Sequence, residues 1–486
     1  MTRSAKNDAI GAARPWLWFG LFVVALALLG GSSRPDPLQN VALRPIAALL
    51  LIPALYRMRV ADLAPARVIL VLGGAMLIWT IAQLAPLPPS LWQALPGRDT
   101  VAGLDRLAGL DGVWRPISLA PFRGLNAVLA MIVPATALLL FLSARVRTQT
   151  VLLAITAMGT VNAAFGILQV VGGPRSPFYL FALTNRGAPA GIFANENHAT
   201  VFAAIVLLVI ARLGVGERNA SLPAWARLAL GPVYVLILMA VLVGSSRAGL
   251  GAAALAVGAG VLMMLVQLRK RDPASSSKPE VAQRERRQRT ALIAGGGVAV
   301  CLVVAAFILL GRAPAAADLL ASNATIEDLR WSLWPVLGAM IHEHWLVGTG
   351  FGSFDAVYRI YEPTALLFPL YLNQAHNDWA QLVIEGGLPA VACLLGLIGW
   401  LGTTILRILR DSRTPRAVVI FWITWLVIIM AASVVDYPLR TPIFQSVSVW
   451  LLVCLARDCK GGKARIDEPA VADPSGEMGW QQTRMH

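Results

Sequence analysis

One polar stretch of this sequence carries most of the side chains that can do chemistry. It contains residues 348–354, 373–379 and 385–387, which read GTGFGSF, NQAHNDW and EGG. Within it, His376 is the side chain best suited to exchange a proton near neutral pH. Asn377 and Asp378 follow directly and are favoured helix N-caps, so the sequence predicts His376 at the start of a helix. The alternative for His376 is an ordinary hydrogen-bonding surface group.

Two arginines occupy unusual positions beside apolar runs. Arg247 follows a Gly-Ser-Ser turn at a predicted membrane boundary, where charged residues tend to be functional and where a helix start can hold an anion. Arg330 lies on the apolar stripe of a predicted helix, so it requires an acidic partner or an anionic ligand. The alternatives are an interfacial anchor at Arg247 and a side chain that extends to water at Arg330.

The same region offers no convincing metal or nucleotide site. His342, Glu343 and His344 are adjacent, but helix positions two apart diverge and no further ligand has suitable spacing. We therefore predict no metal and no cofactor. Gly348, Gly350 and Gly352 precede no strand–helix unit, so they predict a sharp connection whose backbone closely approaches another segment, not a phosphate-binding loop.

The composition shows what must position these residues. The chain has 486 residues, of which 57% are hydrophobic and 14% charged, whereas soluble domains have about 25% charged residues. Backbone groups in lipid must be paired internally, so apolar runs long enough to cross ~30 Å of hydrocarbon predict an all-α polytopic membrane bundle. We predict about twelve transmembrane helices, at 16–31, 41–56, 67–85, 124–143, 151–172, 198–215, 228–244, 248–268, 291–311, 379–406, 417–435 and 442–456.

The charge distribution predicts the orientation. Most of the 41 Lys and Arg residues fall in segments that would be cytoplasmic if both termini are inside, and the net charge is +15. This asymmetry is the positive-inside signal of a membrane protein, so the basic balance does not indicate a nucleic-acid partner.

The spans and charges together predict four regions. They are a transmembrane bundle over 1–311 with exterior loops at 86–123 and 173–197, a large helical exterior loop over 312–378, C-terminal helices over 379–456, and a cytoplasmic tail over 457–486. Loop 86–123 is expected to be a structural cap, the alternative being an interfacial platform. In loop 173–197, Asn195 or Asn197 is a natural N-cap before His198.

Several motifs together resemble one known family. The segments 245–249 (SSRAG), 330–334 (RWSLW), 348–354, 375–379 with 385–387, and the Asn-rich 193–198 (FANENH) look like the O-antigen ligase family, whose superfamily includes O-antigen polymerases and O-linking oligosaccharyltransferases. The resemblance implies a fold like that of GT-C membrane glycosyltransferases. It also implies metal-independent transfer of a glycan from undecaprenyl diphosphate to an acceptor at the periplasmic face of the bacterial inner membrane.

The resemblance also implies roles for individual residues. Carried over, the family pattern assigns Arg247 and Arg330 to the lipid diphosphate and His376 to the acceptor hydroxyl. The arginine–leucine spacing departs from the family by one residue at both arginines, which leaves open which arginine plays which part. Residues that could support the site are Asn195, Asn197, His198, Asn377 and Glu385.

Three functions are compatible with these motifs. The favoured one is an inverting glycosyltransferase that ligates O-antigen to lipid A-core in lipopolysaccharide biosynthesis, with the glycan donor, the acceptor and membrane lipids as partners. A polymerase would use the same donor and nearly the same residues. A non-catalytic transporter is disfavoured, because it predicts charges at mid-membrane and paired discontinuous helices.

Overall fold

The computed structural model describes residues 3–215, 222–270, 331–367 and 372–460, and confirms an all-α fold over these ranges. The helices are α1 Arg3–Leu29, α2 Leu38–Arg57, α3 Arg67–Ala82, α4 Pro89–Trp92, α5 Asp99–Leu107, α6 Pro121–Ala130, α7 Ile132–Ser143, α8 Thr148–Gly172, α9 Glu196–Gly214, α10 Ala224–Val243, α11 Arg247–Lys270, α12 Trp334–His344, α13 Phe354–Tyr361, α14 Asp378–Arg410, α15 Arg416–Val435 and α16 Pro442–Lys460. Two short strands, β1 Pro86–Leu87 and β2 Arg115–Pro116, pair antiparallel.

The membrane bundle matches the predicted spans. Within the described ranges, ten helices are long and apolar enough to cross a membrane, and α1 adds the shorter apolar stretch Trp16–Leu29. Each predicted span coincides with a helix except two: 124–143 is shared by α6 and α7, and 291–311 lies outside the described residues. The polytopic helical bundle is therefore confirmed. The structure extends the predicted span 379–406 at both ends, to Asp378–Arg410.

Helix α9 lies at the centre of the bundle. It packs against α8, α10, α11 and α15, and its residues from His198 to Ile210 are all buried. A helix that is apolar on every side has to be buried in this way. A second, smaller core lies under the connections and is formed by α12, α13 and the first turns of α14, with Leu337, Met340 and Phe354 among its members.

The connections predicted to be exterior meet on one face, called here the loop face. It is formed by residues 30–37, 83–120, 173–195, 244–246, 345–353, 372–377 and 436–441. Backbone hydrogen bonds join these segments: the Ala194 amide donates to the Gly31 carbonyl at 3.0 Å, and the Leu119 amide donates to the Thr349 carbonyl at 2.8 Å. Segments far apart in the chain are thereby held in one layer.

The glycine loop 348–352 confirms the predicted close approach. Gly348, Gly350 and Gly352 all have positive φ, and the Gly350 amide donates to the Glu385 carbonyl at 3.0 Å. Gly387, at φ 60 and ψ −160, interrupts α14 at the same place. The loop therefore lies directly on a break in a membrane helix, where free backbone groups of both segments satisfy one another.

Replacing Gly348 by Ala tests this contact. A Cβ at Gly348 would overlap the Glu385 carbonyl, and the backbone there is left-handed. We expect a cost of about 1–3 kcal/mol or more and a lower thermal unfolding midpoint in detergent. Gly338→Ala is the matched control, because a Cβ meets nothing within 4 Å there and Ala favours a helix. Equal midpoints for the two variants would contradict the close approach.

Candidate active site at the loop face

A buried carboxylate lies between two histidines at the loop face. Asp436 follows α15, and its Oδ1 atom is 3.4 Å from Nδ1 of His376 and 3.7 Å from Nε2 of His198. His376 precedes α14, and His198 lies in the first turn of α9. The structure therefore brings together two of the predicted site residues around an acid that the sequence analysis did not single out.

The surroundings fix the orientation of His376. The Tyr437 ring makes edge-to-face contacts with both imidazoles, with centroids 4.8 Å from His376 and 5.0 Å from His198. His376 has φ 51, which is uncommon for a residue other than glycine. Such a conformation persists only where neighbouring contacts determine it, and it is concentrated at functional sites.

Asn377 provides one of those contacts. Its Oδ1 accepts from the Ala380 amide at 2.8 Å, and its Nδ2 donates to the Val434 carbonyl at 2.8 Å. The first bond confirms the predicted N-cap, and the second ties the start of α14 to the end of α15. Because Asp436 follows α15 directly, this tie sets His376 beside its carboxylate partner.

Two histidines favour the ionised form of Asp436. Burial by itself would raise the pKa of the carboxyl group, but its interactions with His198 and His376 outweigh burial and hold the pKa well below the usual value. A charged carboxylate beside Nδ1 favours the imidazole tautomer that carries its proton on Nδ1. Nε2 is then left as the basic nitrogen.

Arg247 begins α11 next to the first turn of α9. Ser246 caps α11 by accepting from the Gly249 amide at 3.0 Å, and Ser245 donates to Glu196 at 2.6 Å. Glu196 is the first residue of α9 and is capped by Asn195, which accepts from the Asn197 amide at 2.9 Å. The starts of α9 and α11 therefore meet at the loop face, with His198 on one helix and Arg247 on the other. Arg330 lies outside the described residues.

A cavity of about 740 Å³ has lining residues next to His376 and Asp436 in the chain. Gln374, Asp378 and Arg440 line it, whereas His376 and Arg247 are not among its lining residues, all of which fall in the described ranges. Its remaining walls are largely apolar and come from α2, α3, α7, α14, α15 and α16. Of the predicted site residues, Glu385 lines this cavity, and His376 lies between its lining residues Gln374 and Asp378 in the chain.

Glu385 supports the wall of the cavity. The carboxylate is fully buried, receives a hydrogen bond from Arg440 at 2.6 Å and accepts from the Gly352 and Phe354 amides at 3.1 Å each. Arg440 also lies 3.6 Å from Asp378. Glu385 therefore links the glycine loop to the turn that follows Asp436.

Loop 86–123 braces the glycine loop from the other side. Arg98 is buried and donates to the carbonyls of Ile117 and Gly348. Below it, His344 contacts the Tyr361 hydroxyl at 2.9 Å, and burial, with the charge of Arg98, lowers the pKa of His344 to about 4. These contacts agree with the expected role of this loop as a structural cap.

The sequence analysis did not single out Asp436, Arg440 or Arg44, which the tertiary structure places at the site or at the cavity. Asp436 and Arg440 lie in a short link between two predicted spans, and a charged pair in so short a link was an available signal. Arg44 lies inside the predicted span 41–56, where a charge indicates function. As for metals, among the described residues no group of three or more His, Cys, Asp or Glu side chains could hold an ion.

Residues 232–395 match the family model described as O-antigen ligase. This match supports membership in the O-antigen ligase family. It confirms the resemblance inferred from the motifs, and the matched segment contains Arg247, the glycine loop, His376 and Glu385. No curated protein matches the chain. The family supports a function in glycan transfer and implies a lipid-linked glycan donor and an acceptor in a membrane.

Glu385→Gln tests the buried ion pair. The substitution leaves Arg440 without its closest carboxylate in a buried setting, and breaking a buried pair costs on the order of 3 kcal/mol. We expect a clearly lower thermal unfolding midpoint in detergent. Glu362→Gln, at a partly exposed position, is the control. A midpoint for Glu385→Gln equal to that of the control would show that Glu385 does not hold the loops together.

His344 predicts a dependence of stability on pH. Its pKa is 6.5 in the unfolded chain and about 4 in the folded protein, so the unfolded state binds more protons between these values. The contribution of neutral His344 to the free energy of unfolding is therefore complete above pH 6.5 and is lost as the pH falls toward 4. This loss is on the order of 3 kcal/mol. Unfolding midpoints measured from pH 7.5 to 4.5 should fall less steeply for His344→Gln than for the wild type. Parallel curves would exclude this titration.

Proposed function

We propose that this protein transfers a glycan from undecaprenyl diphosphate to an acceptor hydroxyl at the loop face, and that this face is the periplasmic side of the bacterial inner membrane. The proposed reaction is the ligation of O-antigen to lipid A-core. The observation that carries the proposal is the placement of His376 and His198 around the buried Asp436 carboxyl group, beside the helix start that carries Arg247. The family match supports the class of reaction.

His376 is the proposed base for the acceptor. With Nδ1 facing the Asp436 carboxyl group at 3.4 Å, Nε2 takes the proton of the incoming hydroxyl group. A positioned base of this kind contributes about 10²–10⁴-fold to the rate. His198 shares the carboxylate and so helps to keep Asp436 in place. Asn377 acts as a positioning residue through its bond to the Val434 carbonyl.

Arg247 and Arg330 are the proposed partners of the donor diphosphate. Guanidinium groups bind phosphate oxygens in a bidentate manner, and the amides at the start of α11 add a partial positive charge beside Arg247. The assignment of Arg330 rests on the family resemblance. In this proposal the arginines supply the positive charge for the leaving group, so that no metal takes part.

In the proposed step one bond forms, one bond breaks and one proton moves. The acceptor oxygen forms a bond to the anomeric carbon as the bond from that carbon to the diphosphate oxygen breaks. The electron pair of the broken bond leaves with the diphosphate, where the arginines stabilise it, and the hydroxyl proton goes to Nε2 of His376. Attack from the side opposite the leaving group inverts the configuration at the anomeric carbon.

His376→Ala tests the base assignment. In a strain lacking the protein, we expect plasmids carrying the wild type and His342→Ala to restore long-chain lipopolysaccharide, because His342 is exposed on α12. His376→Ala should fail, with transfer reduced on the order of 10²-fold or more. Asp436→Asn should also reduce transfer, because an amide does not favour the required tautomer. Transfer by His376→Ala at the wild-type rate would refute the base role.

The lipopolysaccharide of the deletion strain tests the choice of acceptor. A ligase deletion leaves bare core and accumulates lipid-linked polymer, which is the result that we expect. Single repeats on the core would instead identify a polymerase, which uses the same donor. Unchanged lipopolysaccharide would remove both assignments.

A further inference from the structure

The outer part of loop 86–123 exposes a run of apolar side chains. Residues 104–114 form the end of α5 and the turn after it, and are called here the loop tip. Leu107 is 89% exposed and Trp114 is 60% exposed, and Leu104, Leu110 and Val113 are exposed as well. Apolar side chains exposed together in this way mark an interaction surface, and the proposed chemistry of His376 uses none of them.

Internal contacts hold the loop tip in this conformation. Arg115 forms an ion pair with Asp105, and the Trp92 indole donates to the Val113 carbonyl at 3.1 Å. The Leu110 amide donates to the Asp105 carbonyl at 2.8 Å. The leucines are therefore exposed because a defined backbone places them outside, and not because the segment lacks partners.

Helix α5 has the polarity opposite to that of a helix in water. Asp105 is only 4% exposed and faces the protein, whereas Leu104 and Leu107 face outward. In water the reverse is favoured, because apolar surface is driven out of water and a buried carboxylate has to be paired. The inverted arrangement is favourable where the surroundings of the leucines are themselves apolar.

The exposed residues of α5 form two separate faces. With about 3.6 residues per turn, Leu104 and Leu107 lie roughly 60° apart around the helix axis, and Asp99 and Arg106 lie roughly 20° apart. The apolar and the polar pair are centred roughly 120° from one another. A helix with these two faces is typical of one that lies in the plane of the membrane interface, with its apolar side toward the acyl chains.

Both ends of loop 86–123 lie close to membrane-crossing helices. The loop follows the candidate span Val60–Ala82 and precedes the span Pro121–Ser143. Ile81 and Phe122, at the adjacent ends of these spans, are both exposed and apolar. The outward apolar surface of the spans therefore extends to the loop at both of its ends, and lipid is the apolar medium that surrounds such spans.

The charge of the loop tip indicates the kind of membrane contact. Residues 104–115 contain two acids, Asp105 and Asp111, and two bases, Arg106 and Arg115. A segment without net charge is not drawn to anionic lipids, so apolar area has to provide the binding. Trp114 suits the head-group level, because its indole combines an apolar body with a polar N–H group.

We infer that the loop tip lies in the head-group layer of the membrane leaflet next to the loop face, with Leu104, Leu107 and Trp114 directed toward the acyl chains. The partner of this surface is thus the lipid itself, whatever reaction the protein catalyses. Arg98 of the same loop donates to the Gly348 carbonyl. The contact with lipid therefore also ties the glycine loop to the membrane surface.

Spin labels on α5 test this placement. Leu104→Cys, Leu107→Cys and Arg106→Cys are each labelled in a chain whose four native cysteines are replaced by alanine, with single full-length copies in lipid nanodiscs. Oxygen concentrates in lipid, whereas a nickel chelate stays in water. We expect the ratio of collisions with oxygen to collisions with the chelate to be severalfold higher at the two leucine positions than at position 106. Arg106 is the matched control, because it is exposed on the polar face of the same helix.

The lipid composition adds a second arm to this experiment. Exchanging zwitterionic for anionic lipids should leave the difference between the positions unchanged, because the loop tip has no net charge. Three results would overturn the inference. They are an equal collision ratio at all three positions, a label at a leucine position that neither reagent reaches because protein covers it, and a difference that appears only in anionic lipids.

Trp114→Phe keeps the inference testable if the cysteine-free protein does not fold, which thermal unfolding shows. The difference in fluorescence between the wild type and Trp114→Phe reports on Trp114. We expect this difference to shrink in nanodiscs whose lipids carry bromine near the head-group end of the acyl chains, because bromine quenches indole fluorescence on contact. A difference that is the same in brominated and unbrominated lipids would place Trp114 away from the lipid and contradict the inference.

Discussion

The burial of the Glu385 carboxylate is the constraint on which the loop face depends. A charge without exposed surface is costly unless it is paired and hydrogen-bonded, and Glu385 obtains its partners from three places. They are the backbone of the glycine loop, the Gln381 side chain one turn earlier in α14, and Arg440 in the turn before α16. The hydrogen bonds of the Glu385 carboxylate therefore hold the glycine loop and the turn that contains Arg440 in place relative to α14.

The same constraint reaches His376 through covalent connection. The turn that supplies Arg440 begins just after Asp436 and Tyr437, and the segment of α14 that carries Glu385 starts just after His376 and Asn377. Holding the two segments together brings the Asp436 carboxylate to the imidazole and allows His376 to keep its left-handed backbone. The left-handed backbone of His376 thus lies next to segments that the buried Arg440–Glu385 ion pair joins, about two helical turns along α14.

The position of the site at a membrane boundary explains its composition. Polar groups are expensive in the hydrocarbon and cheap in water, so arginines, imidazoles and carboxylates collect at helix ends, where side chains from several helices meet. A lipid-linked substrate is divided in the same way, with its chain in the hydrocarbon and its charged head at the boundary. The cavity has largely apolar walls along the helices, and Arg34 and Arg440 line it from connections of the loop face.

The sequence by itself determined the class of fold, the extent of most membrane helices and the close approach of the glycine loop. It also predicted an N-cap at Asn195 or Asn197 and another at Asn377 or Asp378, and the structure selects the first residue of each pair. These features follow from run length, from internal backbone pairing and from rules that act within a few residues. Only the tertiary structure decided that Asp436 lies between His198 and His376, that Arg440 neutralises Glu385, and that Arg44 faces a cavity beside Arg123. These partners lie far apart in the chain, and no periodicity records how helices rotate and pack against one another, so packing alone brings the side chains together.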